Sequence, residues 1–276
     1  MKISVITVTL NNLEGLKKTA DSVLAQTEKD YEYIILDGGS TDGTVDYLNE
    51  LKIVNGIKKS EPDNGIYNAM NKAVTLAHGD YCIFLNAGDT FCDNEVLRKA
   101  NAALGEADLY VGHTIEIGEH VLKGMAPDPL TVDYLMRTSI YHQSTFIRRT
   151  LLLEHPYNEN LKIVSDWEFF FDQWLHGCSY SKLDFFVSNY YLGGYSFIHQ
   201  DLIGIERKQV IDRLVPARLV EHFKPAEQEQ APHRPISKLE EKIAKAMTMP
   251  PVQRDLKILR NAFKALLKDL FCSKKG

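Results

Sequence analysis

Acidic and amide side chains follow three apolar runs, and these residues are the first candidates for chemistry. Thr9 and Asn11 lie at the end of the first run, Asp37 after the second, and Asn86 and Asp89 after the third. A carboxylate in such a place can accept an N–H from a nucleobase, or it can cap the turn that follows. One or two carboxylates together with substrate phosphates commonly bind Mg²⁺ or Mn²⁺. Three such sites in series favour a nucleotide site over three unrelated turns.

The elements that must position these residues alternate in the first half of the chain. Apolar, β-branched runs predict strands at residues 2–9, 31–36, 53–60 and 80–85. Apolar residues at helical spacing predict helices at about 13–24, 44–51 and 65–78. This alternation predicts a parallel sheet flanked by helices. Ligands of such sheets bind at the carboxyl ends of the strands, where the polar residues lie.

The glycine-rich segment 38–44 superficially matches a phosphate-binding loop. It lacks the lysine that precedes the final threonine in such loops, and a short polar helix follows it. We therefore exclude the ATPase and GTPase chemistry of that motif. Its glycines still allow a ligand to approach the backbone closely.

Four segments carry a specific resemblance, which extends over residues 1–200. They are residues 6–12 (ITVTLNN), 35–44 (ILDGGSTDGT), 64–73 (NGIYNAMNKA) and 84–89 (FLNAGD). In order and spacing they resemble family 2 glycosyltransferases, most closely the branch that serves bacterial exopolysaccharide synthesis of the colanic-acid type. The resemblance implies the α/β GT-A fold, a mixed but mainly parallel sheet flanked by helices. It also implies a nucleotide-diphospho-sugar donor.

The resemblance also implies roles for individual residues. The nucleotide-sugar site would comprise Thr9, Asn11, Asp37, Gly39, Asp63, Gly65, Asn71 and Asn86. Within that set Asp37 would read the base, usually uracil, although Gly38 replaces a second aspartate that is common in the family. Asp89 would bind the divalent metal, Mn²⁺ or Mg²⁺. In the family the metal-binding motif is normally Asp-x-Asp. Here Asn86 replaces its first acid and Gly88 replaces its middle acid, which weakens the inference of metal dependence.

The segment around Asp166 resembles the start of the family's acceptor-side helix, whose aspartate is the general base. Inverting transfer needs one carboxylate to take the proton of the acceptor hydroxyl. An aspartate at a helix N-terminus is also a common cap, and that alternative stays open. His142 and Trp167 are further candidates for the acceptor pocket, against the alternatives of a structural histidine and a core tryptophan.

Composition separates the chain into two parts. Its 276 residues carry a formal net charge of -5, but residues 236–276 hold ten Lys and Arg against four Asp and Glu. We expect a catalytic domain at 1–200, with a nucleotide-sugar half at 1–107 and an acceptor half at 108–200. A helical extension would follow at 201–276, with a linker near 224–235. The pattern at 252–271 predicts a basic amphipathic helix that meets a membrane surface, docks on the catalytic domain or pairs with a second subunit.

The expected function is transfer of a sugar from a nucleotide-diphospho-sugar, UDP-linked by preference, to a saccharide or lipid-linked saccharide acceptor of a cell-surface polysaccharide. Two alternatives are a non-catalytic nucleotide-sugar-binding protein and a sugar-1-phosphate nucleotidyltransferase. A sugar-1-phosphate nucleotidyltransferase needs a glycine-rich loop with a basic residue after the first strand, and this sequence has neither. The acidic balance of the chain argues against nucleic acid as a partner. With no apolar run long enough to span a membrane, we expect a cytoplasmic location with peripheral contact to the membrane.

Overall fold

The computed structural model describes residues 3–193, 199–216 and 234–235. The chain divides into two compact units, Met1–His233 and Arg234–Gly276. The described part of the second unit is the two-residue strand Arg234–Pro235. The predicted amphipathic helix at 252–271 lies outside the described residues, as does the predicted linker apart from its last two residues.

The first unit alternates strands and helices along its N-terminal half. Its described strands are β1 (Ile3–Thr9), β2 (Tyr31–Asp37), β3 (Gly56–Ser60), β4 (Tyr81–Phe84), β5 (Thr90–Phe91), β6 (Leu109–Ile117), β7 (Val121–Gly124), β8 (Thr145–Arg148) and β9 (Tyr180–Tyr191). Its described helices are α1 (Leu13–Leu24), α2 (Thr44–Glu50), α3 (Ile66–Leu76), α4 (Val96–Ala103), α5 (Val132–Arg137), α6 (Arg149–Glu154), α7 (Ser165–Leu175) and α8 (Gln200–Leu214), with a 3₁₀ turn at His142–Ser144.

The strands form one mixed sheet whose main path within this unit runs β7-β6-β8-β4-β1-β2-β3. Strands β1 to β4 are parallel, β8 is antiparallel to both of its neighbours, and β9 pairs with β6 in parallel and β5 in antiparallel. All seven residues of β1 and of β2 are buried, because helices cover both faces of the sheet. The predicted mixed, mainly parallel α/β sheet is therefore confirmed.

Alternate side chains of the central strands pack into two separate hydrophobic cores, one on each face of the sheet. Ile6 and Ile34 pack on one face, while Val5 and Ile35 pack on the other. The third strand begins at Gly56, three residues later than expected. A β-carbon on Gly56 would lie 1.9 Å from the carbonyl oxygen of Tyr33, so only glycine allows the strand to start against β2 there.

The parallel register brings the polar strand ends together. Thr9 pairs with Asp37, and the backbone N–H of Ala87 donates to the carbonyl of Val8 at 3.1 Å, which extends the pairing beyond β4. The loops that follow β1, β2 and β4 therefore meet at one edge of the sheet. This edge holds the donor-side candidates that the sequence predicts.

Helix α8 belongs to the first unit, although the sequence pattern groups it with the extension that begins at 201. The carboxylate of Glu206 is buried and accepts three backbone N–H groups, those of Lys162 at 2.8 Å, Ile163 at 3.0 Å and Val164 at 3.2 Å. The guanidinium of Arg207 lies over the ring of Trp167 at 4.6 Å. Helix α8 thereby holds the segment that leads into α7.

Replacing Glu206 tests this clamp, by which we mean its hydrogen bonds to the N–H groups of residues 162–164. We expect Glu206→Ala to lower the free energy of unfolding by about 3 kcal/mol, because three buried N–H groups lose a charged acceptor. Glu206→Gln retains one carbonyl oxygen and should cost less. Urea unfolding measures both, with Asp212→Ala on the exposed part of the same helix as the control. A Glu206→Ala effect as small as that of the control would contradict the clamp.

Candidate active site

The loop after β2 is organised around the carboxylate of Asp37. One oxygen, Oδ2, accepts the backbone N–H of Gly39 at 3.2 Å and of Ser40 at 3.0 Å, and the hydroxyl of Ser60 at 2.6 Å. The other oxygen accepts the hydroxyl of Ser40. Asp37 is 1% exposed. These contacts support the turn-capping alternative for Asp37, because its acceptor sites are largely filled by its own loop and by Ser60 of β3.

Asn11 joins the loop after β1 to the loop after β2. Its N–H donates to the hydroxyl of Ser40 at 2.6 Å, and its side-chain carbonyl accepts the N–H of Thr41 at 2.9 Å. It adopts a left-handed backbone, with φ of 50°, which asparagine tolerates. The neighbouring Thr9 hydroxyl is buried and has no hydrogen-bond partner. Asn11 therefore fastens the two loops to each other, while the Thr9 hydroxyl is left without a partner.

The turn from Asn86 to Asp89 follows β4. The N–H of Asp89 donates to the carbonyl of Asn86 at 2.9 Å, so their two side chains extend from one tight turn. Helix α1 supports the turn, since the hydroxyl of Thr19 donates to the carbonyl of Asp89 at 2.7 Å and accepts the N–H of Gly88 at 2.9 Å. The side-chain oxygen of Asn86 is buried and has no hydrogen-bond partner.

A divalent cation fits this turn through one carboxylate and one amide oxygen. The unpartnered Oδ1 of Asn86 and the carboxylate of Asp89 are both oxygen donors, as Mg²⁺ and Mn²⁺ prefer. The described residues contain no cluster of three or more His, Cys, Asp or Glu that could hold a metal. A cation here would therefore take its remaining ligands from donor phosphates and water.

Burial raises the pKa of Asp89 to about 7, although the charge of His142 and hydrogen bonds from Tyr191 and Gln143 act to lower it. An acid with a raised pKa is protonated in the folded state at pH values where the unfolded chain is ionised. Its stabilising contribution is complete below pH 4 and is lost as the pH rises through about 7.

The raised pKa of Asp89 makes the stability of the protein depend on pH in a measurable way. In chelator, the wild-type free energy of unfolding should fall between pH 4 and 8, by on the order of 3 kcal/mol from Asp89 alone. Asp89→Asn has no ionised form, so its profile should lack that component. Chemical unfolding of the two proteins across this range checks the difference. Parallel profiles would contradict an uncompensated carboxyl at this position.

Asp166 lies in the first turn of α7 and its carboxylate faces two donors. The hydroxyl of Tyr67 is 3.0 Å from Oδ1, and Nδ1 of His142 is 2.9 Å from Oδ2. Burial alone would raise the pKa of Asp166, but the hydrogen bonds and charge of His142 and the Tyr67 hydroxyl outweigh it and hold the pKa below its ordinary value. Asp166 is therefore ionised at neutral pH, as a proton acceptor must be.

His142 connects Asp166 to the donor side. Because an ionised carboxylate only accepts, Nδ1 of His142 carries the proton in this contact. The side-chain nitrogen of Asn86 lies 3.4 Å from Nε2. This contact places the Asn86 amide against the His142 ring, and the amide oxygen has no hydrogen-bond partner. One chain of side chains thus runs from Asp166 through His142 to the loop after β4.

The other predicted residues divide between the pocket and the framework. Gly39 and Gly65 have φ of 89° and 118°, which only glycine adopts readily. Asp63 accepts the N–H of Gly65 at 2.8 Å and is partly buried. The amide of Asn71 donates to the carbonyl of Tyr157 at 2.9 Å and accepts its N–H at 2.9 Å. Asn71 therefore fastens the chain before α7 to α3.

The structure corrects the prediction that Trp167 lines the acceptor pocket. The tryptophan is 2% exposed, its ring stacks on Phe171 at 5.4 Å with Arg207 close by, and its N–H donates to the carbonyl of Leu135 at 2.6 Å. The core alternative applies, because no face of the ring is open to a sugar. His142, in contrast, lies in the site.

Two residues escaped the sequence analysis. Tyr67 belongs to a quoted motif, but no role was assigned to it. Glu206 carries no spacing signal, because it acts on residues that are distant in sequence.

Comparison with known proteins decides the family. Residues 4–159, more than half of the chain, match the model of Glycosyl transferase family 2. The chain belongs to this family. A PGL/p-HBAD biosynthesis glycosyltransferase of Mycobacterium tuberculosis is 36% identical over 174 residues, which are 60% of this chain and 67% of the relative. The protein is thus a glycosyltransferase, which decides against both alternatives that the sequence left open.

Solved structures agree on the fold. S. aureus TarS 1–349 in complex with UDP-GlcNAc has a TM-score of 0.62 and 19% identity over 90% of this chain and 79% of that one. The mannosyltransferase PcManGT from Pyrobaculum calidifontis, in complex with GDP-Man and Mn²⁺, has a TM-score of 0.53 and 15% identity over 94% and 64%. The glycosyltransferase has the GT-A fold. It spans 53% of the longer TarS structure.

Among the described residues, no helix is both long and apolar enough to cross a membrane.

Proposed function

We propose that this glycosyltransferase moves a sugar from a UDP-sugar to a saccharide or lipid-linked saccharide acceptor, with inversion at the anomeric carbon, in the synthesis of a cell-surface polysaccharide. Asp166 is the general base in this proposal. The proposal places the enzyme in the cytoplasm, in peripheral contact with the membrane that carries the acceptor.

One observation carries the proposal: the carboxylate of Asp166 is linked through His142 to the loop that holds Asn86 and Asp89. A base that removes a proton from the acceptor must lie beside the anomeric carbon, and that carbon is attached to the donor diphosphate. The contact between the acceptor half and the donor loop meets this requirement.

The chemistry follows from the positions of these groups. The acceptor hydroxyl transfers its proton to Asp166 while its oxygen forms a bond to the anomeric carbon. The bond from that carbon to the diphosphate oxygen breaks on the opposite face, and the nucleoside diphosphate departs. Tyr67 and His142 hold the carboxylate in one orientation during this step. A divalent cation, held by Asp89 and Asn86, would neutralise charge on the diphosphate when bound.

Two structural neighbours support a nucleotide-diphospho-sugar as the donor class. TarS is described with UDP-GlcNAc and PcManGT with GDP-Man and Mn²⁺. Both donors are nucleotide-diphospho-sugars, and the UDP-GlcNAc of the TarS complex supports a UDP-linked donor here.

Asp166→Asn is the direct test of the base. We expect transfer from the cognate donor to fall at least about a thousandfold, because the amide cannot accept the proton. Binding of UDP by calorimetry should change little. Asp172→Asn, an equal substitution farther along α7, is the matched control and should keep its activity.

Two results would contradict the proposal. Wild-type-like turnover by Asp166→Asn would remove Asp166 as the base. A product with the same anomeric configuration as the donor, read from the sugar's NMR coupling constants, would exclude inversion.

His142→Ala tests the support of the base. Burial of Asp166 remains while its main hydrogen-bond donor is lost, so the pKa of Asp166 should rise. With saturating metal, the acid limb of the rate profile should therefore move to higher pH and kcat should fall about tenfold. An unmoved acid limb would show that His142 does not act through Asp166.

A further inference from the structure

We propose that Asp63, and not Asp37, accepts the edge N–H of the donor's nucleobase, and that Leu10 supports the face of the base. The single oxygen that Asp63 leaves free selects a base with a single edge N–H, which is uracil or thymine. This inference rests on the proposed nucleotide-sugar donor and names how its base is recognised.

Asp37 is poorly placed for this contact. Its carboxylate already accepts two backbone N–H groups and two hydroxyls, and it is 1% exposed. A base that approached Asp37 would have to displace Ser40 or Ser60 from a buried carboxylate. The loop conformation depends on those hydrogen bonds, so the displacement would also disturb the loop.

The carboxylate of Asp63 reaches the backbone beside Asp37 from another loop. Its Oδ2 lies 2.5 Å from the point where a β-carbon on Gly38 would be, so any larger residue at 38 would collide with it. Its Oδ1 accepts the N–H of Gly65 at 2.8 Å. Within the described part of the chain, Oδ2 has no hydrogen-bond donor and Asp63 has no ion pair. One carboxylate oxygen is therefore free at the strand ends.

Leu10 provides an apolar surface at the same place. Its Cδ1 lies 3.3 Å from that β-carbon position on Gly38, so the leucine and the free oxygen of Asp63 flank a single point. Leu10 is 56% exposed, which is unusual for a leucine that directly follows a buried central strand. A flat base needs an apolar contact on its face and a polar partner on its edge, and these two side chains supply one of each.

The hydrogen-bonding pattern of the bases then sets the preference. Uracil and thymine present one N–H, at N3, between two carbonyl oxygens. Guanine presents two adjacent donors, at N1 and N2, and is matched by a carboxylate with both oxygens free. Cytosine presents an unprotonated N3, which a carboxylate oxygen repels. One free oxygen therefore favours uracil or thymine over guanine and disfavours cytosine.

Calorimetric titration of UDP, CDP and GDP against three proteins tests the assignment. Wild type should bind UDP at least about tenfold more tightly than CDP or GDP, as a charge-assisted hydrogen bond allows. Asp63→Asn is nearly isosteric, and its amide can donate to N3 of cytosine. The ratio of the UDP to CDP affinities should therefore fall at least about tenfold. Asp37→Asn is the matched control, and it should weaken both nucleotides by the same factor.

Each result has a distinct meaning. If Asp63→Asn keeps the wild-type ratio with an unchanged unfolding midpoint, the assignment to Asp63 is overturned while the donor proposal stands. If Asp37→Asn instead loses the preference for UDP over CDP, Asp37 and not Asp63 contacts the edge of the base. If the wild type binds GDP most tightly, the proposed selection of uracil or thymine is overturned. Failure of the wild type to bind any of the three nucleotides would overturn the donor proposal and this inference with it. Leu10→Ser should weaken all three nucleotides without changing their ratio.

Discussion

Backbone N–H groups in the loops at the carboxyl edge of the sheet need acceptors, and this need governs the site. Where the loops turn away from the sheet, their N–H groups lose their strand partners, so side-chain oxygens satisfy them. Asp37, Asn11 and Asp42 do so between the loops after β1 and β2. Glu206 does so for the segment before α7. Most acidic and amide groups near the site are thus part of its framework.

The oxygens that remain without donors are the candidates for ligand contacts. Among the described residues these include Oδ2 of Asp63, Oδ1 of Asn86 and the hydroxyl of Thr9. They belong to three different loops that the parallel register gathers at one edge. The carboxylate of Asp166 is different, because it has donors and yet carries a charge that burial disfavours. A group that is ionised against its burial can take up a proton, which the framework carboxylates cannot do without breaking their loops.

Much of the fold could be predicted from the sequence because burial on both faces leaves a strong pattern. The runs that became β1, β2 and β4 are apolar throughout, and helices with one apolar face separate them. The acceptor half was harder to predict. Strand β8 contributes only four residues between oppositely directed neighbours, and β9 pairs irregularly with β6. Short or irregular strands produce weak periodicity, so their order in the sheet had no sequence signal.

The site could be predicted as a set of loops but not as a set of contacts. Asp37, Asp63 and Asp166 share one residue type, and the sequence cannot show which oxygens are already engaged. That depends on Ser60, Gly65 and His142, which come from other elements. Position 38 shows the limit most clearly. The sequence shows that a side chain is missing there, but only the approach of the loop at Asp63 shows what takes its place. A glycine in a binding motif is therefore informative about its spatial neighbours, because the space it leaves open is where another residue's functional group can act.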